Sequence, residues 1–166
     1  MLSGFPRNDA VSYDDSFTLR KTYPEKGEQT MAKMTQEMQE MFNRTGIKQL
    51  ATADKKGIPN VVPINFIKIL DDQTILASAV FMSKTFQNLE ENPVCALSFW
   101  EGFAGYQLKG SVTIETSGKT FEETEAWTED EGKKLGLNLK SKGAIVIKVT
   151  EIYSVAPGPD AGKKIA

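Results

Sequence analysis

From Ile47 onward the chain runs in short apolar blocks separated by polar turns. Ile47 to Ala53 is followed by Asp54-Lys55-Lys56-Gly57, and Val61 to Leu70 by Asp71-Asp72-Gln73. Thr74 to Val80 then leads into a polar stretch. Apolar blocks of this length, bounded by such turns, predict strands. Turns this tight join antiparallel neighbours, because a parallel crossover needs a dozen residues or more. Val94 to Trp100 reads as a fourth strand. Its apolar residues fall on both faces (Val94 and Ala96; Cys95, Leu97 and Phe99), which predicts burial on both. Glu101 to Gly105 reads as a loop, Tyr106 to Glu115 as a fifth strand, and Ala144 to Val155 as the last.

Three stretches switch to helical spacing. In Thr30 to Thr45, Met31, Met34, Met38, Met41 and Phe42 recur on one face, with Gly46 as a stop. A methionine stripe can dock a partner, but core packing is the reading taken here, since Met fills irregular gaps. Lys84 to Glu91 allows about two turns behind Ser83 as N-cap, and Asn92-Pro93 ends them. Thr120-Phe121-Glu122-Glu123 fits a capping box and opens a third helix, with Phe121, Trp127 and Leu135 expected to face inward.

These elements predict a mainly β chain with flanking helices: about six antiparallel strands in a closed or split barrel. Three segments follow: an N-terminal extension over 1–29, one barrel domain over 30–156 and a Pro/Gly-rich C-terminal tail over 157–166. The extension lacks periodicity, so it orders only by packing onto something. Phe5, Tyr13, Phe17, Leu19 and Tyr23 are its candidate anchors, and we expect it to cross to a partner subunit. A barrel of this size fills its own interior, so a ligand belongs on a rim or at a subunit interface.

Composition narrows the chemistry. The 166 residues carry a net charge of -2 and contain no histidine and one cysteine. Arginine occurs only at Arg7, Arg20 and Arg44. No basic field exists to attract nucleic acid or anionic lipid. Without histidine, Ser-His-Asp and Cys-His catalysis cannot be assembled from this chain, and the usual proximal haem ligand is missing. Cys95 alone cannot form an internal disulfide or a thiolate metal site, and its apolar setting predicts a buried, inert thiol. No apolar stretch is long enough to span a membrane, and no signal pattern opens the chain, so the expected compartment is the cytoplasm.

What remains as candidate chemistry is Phe81-Met82-Ser83-Lys84-Thr85-Phe86-Gln87-Asn88. A helix beginning here offers free backbone N–H groups, two hydroxyls and one ammonium, which is equipment for holding a phosphate. The plainer alternative is that Ser83 only caps the helix and Lys84 only faces water.

Three stretches, in this order, resemble the FMN-binding split-barrel proteins related to pyridoxamine 5'-phosphate oxidase, in particular the flavoredoxin-like and small FMN-binding members. They are Leu50-Ala-Thr-Ala-Asp-Lys-Lys-Gly-Ile-Pro-Asn-Val-Val-Pro63, Ala77-Ser-Ala-Val-Phe-Met-Ser-Lys-Thr-Phe-Gln-Asn-Leu-Glu-Glu-Asn-Pro-Val94 and Leu108-Lys-Gly-Ser-Val112. The resemblance covers about Thr35 to Val155. It implies that Val62, Pro63, Ile64 and Asn65 lie along the flavin, and that Ala77 and Ser78 line its ribityl and ring region. It also implies that Met82, Ser83, Lys84 and Thr85 hold the phosphate. The loop around Gly105 would approach the ring from a second subunit, in a homodimer with two FMN sites. Trp100, Phe103 and Tyr106 could add stacking surface, with core packing expected for at least one of them.

The departures from the family pattern matter equally. Authentic pyridoxamine-phosphate oxidases resemble this chain but carry an Arg on the second strand, where Val62 stands here. They also carry an Arg/His clamp near the C-terminus, where this chain has neither. Without a bidentate clamp for a substrate phosphate, oxidase activity on pyridoxamine phosphate is not expected. The resemblance instead implies an FMN flavoprotein acting as oxidoreductase or electron carrier, in which the cofactor supplies the chemistry. A nicotinamide nucleotide or a redox protein would be the electron donor. No GxGxxG fingerprint marks a separate dinucleotide domain. A deazaflavin in the same slot and a non-catalytic flavin-binding or regulatory protein are the alternatives.

Overall fold

The computed structural model describes residues 30–166. The expected N-terminal extension, with its candidate anchors, lies outside the described residues. Seven strands form one antiparallel sheet. In chain order they are β1 (Lys48–Ala53), β2 (Pro59–Ile64), β3 (Ile67–Asp71), β4 (Thr74–Ser78), β5 (Val94–Glu101), β6 (Ala104–Glu115) and β7 (Ala144–Ser154). Three helices flank it: α1 (Gln36–Arg44), α2 (Lys84–Glu91) and α3 (Lys119–Lys134).

The sheet order β2-β1-β5-β6-β7-β4-β3 puts β2 and β3 at opposite edges. Yet only Asn65 and Phe66 separate them in the chain. Laid flat, seven strands would hold their edges roughly 29 Å apart at about 4.8 Å per step. Two linking residues reach only about 11 Å. The sheet must therefore curl until its edges meet, and the result is a split β-barrel. β2 and β3 are not hydrogen-bonded to each other, so the split lies between them. The corner at Asn65-Phe66 also explains the seventh strand. The single long strand expected over Val61 to Leu70 breaks there, where the Ile67 N–H turns back to the Asn65 carbonyl at 2.8 Å.

Inside the curl sits the core: Leu50, Leu97, Phe99, Leu108, Ile145, Ile147, Val149 and Ile152 are all buried. α1 closes one end with Met38, Met41 and Phe42, and Phe42 meets Phe99 edge to face at 5.3 Å. The methionine stripe is core, but its helix is shorter than expected. Thr35 takes the N-cap and accepts the Met38 N–H at 3.3 Å. Before it, Ala32 and Met34 pair with backbone of the sheet instead, donating to the Val149 and Asp72 carbonyls.

Other expectations need correction. β5 is buried on one face only: Cys95, Leu97 and Phe99 point inward, while Val94 and Trp100 are 44% and 50% exposed. The expected loop over Glu101 to Gly105 is a tight hairpin in which Glu101 pairs with Ala104, and Gly102 supplies the positive φ of 59°. The capping box at Thr120 does not form. Gly118 occupies the N-cap position, and Thr120 sits inside α3. That helix buries Thr124, Thr128 and Gly132, whereas Phe121 and Trp127 are only half-buried and Leu135 is exposed. A small-residue face lets the helix lie close to its neighbours: a Cβ on Gly132 would stand 2.9 Å from the Leu137 carbonyl oxygen. The C-terminal tail also docks. Residues 163–166 run back beside β7, with Ser154 N–H donating to the Lys163 carbonyl and Ile152 N–H to the Ala166 carbonyl. They cover the part of β7 beyond Lys148, the residue paired with Thr74 at the start of β4.

Cys95 is buried, and desolvation pushes its thiol up to about 12. A disulfide reagent at mildly alkaline pH should therefore leave the folded protein unmodified and label one thiol per chain once denaturant is added. Rapid labelling of the native protein would show that β5 opens locally.

Candidate functional site

One cleft of about 520 Å³ lies at the split of the barrel. Its floor is β2, which among the described residues pairs only with β1, so its other edge has no backbone partner there. Asn65 and Phe66 close one end, the segment after β4 forms the far wall, and the first turn of α2 forms the other end.

Nine of the eleven residues expected at the cofactor line this single cleft: Val62, Pro63, Ile64, Asn65, Ser78, Met82, Ser83, Lys84 and Thr85. Ala77 does not. It is fully buried in the core, because successive side chains on a strand point to opposite faces and Ser78 takes the cleft side. Gly105 does not line it either. It pairs with Trp100 in the β5–β6 hairpin, and a Cβ there would stand 2.6 Å from Trp100 Cβ and 2.9 Å from the Phe99 carbonyl oxygen. Packing within the chain thus accounts for glycine at this position. None of Trp100, Phe103 and Tyr106 reaches the cleft. Tyr106 packs on Phe99 at 5.8 Å, and Phe103 is 86% exposed at the hairpin tip.

The phosphate-like end is built from the start of α2. Gln87 N–H to the Ser83 carbonyl is the first helical bond, at 3.1 Å, so the N–H groups of Lys84, Thr85 and Phe86 have no helical acceptor. Ser83 stands at the N-cap, but its side chain makes no cap bond. The plain alternative, in which that hydroxyl is spent on the helix, is not what forms. Its φ and ψ of -111° and -75° are not the extended values from which a serine caps. Lys84 is exposed, and among the described residues no carboxylate lines the cleft.

Thr85 is held differently. It is 2% exposed, and its hydroxyl accepts from the Asn60 amide at 3.0 Å. Asn60 also reaches Thr52 at 3.3 Å, and Asn88 of α2 reaches the same Thr52 hydroxyl at 3.1 Å. This polar ladder ties α2 to β1 and β2. Among the described residues the Thr85 O–H finds no acceptor, so its proton remains available beside the cleft. Sequence reasoning missed Asn60, along with Ile47, Phe66, Val80 and Phe81 of the lining. Asn60 had a usable signal. It shares the strand face of Val62 and Ile64 at a period of two.

Fold and cleft together define a class: a split β-barrel with one open cleft at its seam. The comparisons agree with the fold. Residues 34–156 match the pyridoxamine 5'-phosphate oxidase family, and the chain belongs to it. It is 40% identical over 140 residues to the uncharacterized protein MJ0282 of Methanocaldococcus jannaschii, covering 82% of this chain and 91% of that one. Among solved structures, HupZ of Group A Streptococcus superposes with a TM-score of 0.67 at 27% identity, over 78% of this chain and 99% of that one. An FMN-binding protein from Syntrophomonas wolfei gives 0.63 at 19% identity, over 73% and 85%. An F420 reductase shares the fold at 0.55 and 17% identity, over 72% and 98%. No described helix is long and apolar enough to cross a membrane.

Proposed function

We propose that this protein is an FMN flavoprotein, an oxidoreductase or electron carrier that holds its cofactor non-covalently in the cleft at the barrel split. The observation that carries the reading is the start of α2: a Ser83 hydroxyl that makes no cap bond, the Lys84 ammonium and N–H groups without helical acceptors, with no carboxylate among the described residues of the cleft. A phosphate dianion suits such a helix N-terminus. The ring would lie along Val62 to Asn65, against the unpaired edge of β2. Pro63 offers a carbonyl there but no N–H. Bound FMN would supply the redox chemistry, and the protein would supply placement and exclusion of water.

A homodimer fits this reading. Phe81 at the cleft and Val61 beside it on β2 are 78% and 60% exposed, apolar surface that a second subunit would cover while bringing its Gly105 hairpin towards the ring. A nicotinamide nucleotide or a redox protein would serve as electron donor. Activity on pyridoxamine phosphate is not part of the proposal, because Val62 stands at the family's second-strand arginine position and residues 144–166 hold no Arg or His for the C-terminal substrate clamp. The second reading is a deazaflavin in the same slot, favoured by the shared fold of the F420 reductase. Haem is disfavoured because the chain can offer no imidazole.

The test is the visible spectrum of freshly purified protein, followed by FMN titration and size-exclusion chromatography. Flavin bands that co-elute with a dimer are expected. A colourless protein that ignores FMN but binds a deazaflavin would transfer the cleft to the second reading.

A further inference from the structure

The loop between α3 and β7 brings a second cation, Lys142, beside the cleft residue Met82, although Lys142 is not itself part of the cleft lining. Two backbone bonds fasten it to the segment after β4: Ala79 N–H donates to the Gly143 carbonyl at 3.0 Å, and Lys142 N–H to the Ala79 carbonyl at 2.9 Å. A buried hydroxyl cluster fixes it from behind. Ser141 bonds Ser78 at 2.9 Å and the Gly143 carbonyl at 2.9 Å, and Thr128 of α3 bonds Ser78 at 2.7 Å. The backbone of Lys142 is thus held on both sides, and through Ser78 it is held to the wall of the cleft itself. Its side chain runs to the residue before Ser83, with Nζ 3.5 Å from the Met82 carbonyl oxygen. That long contact uses one of three ammonium donors. Among the described residues Lys142 has no carboxylate partner, which it shares with Lys84 and several other lysines, so its charge is not neutralised within the described chain.

Resting on the flavin reading of the cleft, we propose that Lys142 is a binding residue for the ligand's phosphate, acting with Lys84 as a pair of ammonium groups. Two cations match the charge of a terminal phosphate monoester, a dianion, better than that of a singly charged phosphodiester. Lys142 comes from a loop about sixty residues further along the chain than Met82, which is why no local motif marks it.

The experiment compares FMN and riboflavin affinities of the full chain, by fluorescence titration, for wild type, Lys84→Ala, Lys142→Gln and Lys142→Arg, with a thermal melt of each. Lys142→Gln should weaken FMN about fivefold and leave riboflavin unchanged, a smaller loss than for Lys84→Ala because glutamine keeps a hydrogen-bond donor and only the charge is removed. Lys142→Arg should stay within about twofold of wild type for both ligands, since the charge is kept. An unchanged FMN-to-riboflavin ratio in Lys142→Gln, with the ratio reduced in Lys84→Ala, overturns the role of Lys142 and leaves the flavin site standing. A lower melting temperature with an unchanged ratio does the same, because it makes Lys142 a tie for the loop only. A wild-type protein that binds neither FMN nor riboflavin overturns the flavin reading and this assignment with it.

Discussion

Replacing Lys84 with alanine should raise the FMN dissociation constant roughly thirtyfold and leave riboflavin binding within about twofold. The figure follows from a charge-assisted hydrogen bond of about 2 kcal/mol at roughly 1.4 kcal/mol per tenfold in affinity. Lys84 is exposed, so water screens it and the value belongs near the lower part of the range for charged hydrogen bonds. The selectivity is the informative part. Riboflavin presents the same ring and ribityl chain without the phosphate. A loss shared equally by both ligands would mean that Lys84 shapes the cleft and does not meet the phosphate, and would remove it from that role. Its backbone is less exposed to substitution than its side chain. The Lys84 N–H belongs to the first turn of α2, and the polar ladder of Asn60, Thr52, Thr85 and Asn88 holds that turn in place. The alanine variant therefore keeps the free N–H groups and should retain measurable FMN binding.

The sequence made the cleft legible where its residues are contiguous. Val62 to Asn65 and Met82 to Thr85 are two short runs, and each lines the site almost whole because a strand end and a helix start present neighbouring residues together. The runs join because the sheet curls, and that curl is decided by strand order. Strand order was hidden, since β2 and β3 lie next to each other in the chain and at opposite edges of the sheet. Ala77 shows the cost of carrying over a contiguous pair. Ala77 and Ser78 point to opposite faces of β4, and the buried side claims Ala77. α3 was misread for a related reason. Its face towards the barrel is Thr124, Thr128 and Gly132, so a search for large apolar residues selected Phe121, Trp127 and Leu135 instead. Thr124 and Thr128 satisfy their hydroxyls on carbonyls one turn back, at 2.7 Å each, and so pass as small side chains in the interior.

The motif glycine of Leu108-Lys-Gly-Ser-Val112 gives the largest expected loss of stability, and it concerns the frame of the barrel. Gly110 is buried on β6 at an irregularity in the pairing, where the register with β7 shifts between Lys109 and Gly110. A Cβ there would stand 2.6 Å from Ile147 Cγ2 and 2.7 Å from the Lys148 carbonyl oxygen. Ile147 could turn aside only within a filled core, and the Lys148 carbonyl is backbone, so β6 and β7 would have to part. Overpacking of this kind costs about 1–3 kcal/mol. Stiffening the unfolded chain returns only about 0.4–1 kcal/mol. Gly110→Ala should therefore lose about 1–2 kcal/mol net and melt roughly 2–8 °C below wild type. Gly46→Ala is the control. No heavy atom lies within 4 Å of its added Cβ and its φ is not positive, so its melting temperature should barely move. Gly110 does not line the cleft, so FMN affinity measured well below the transition should survive in both variants. If Gly110→Ala melts with the wild type, β6 and β7 can separate at little cost. The glycine would then not be set by the close approach of the two strands, and a reason for it would have to be sought outside the single chain.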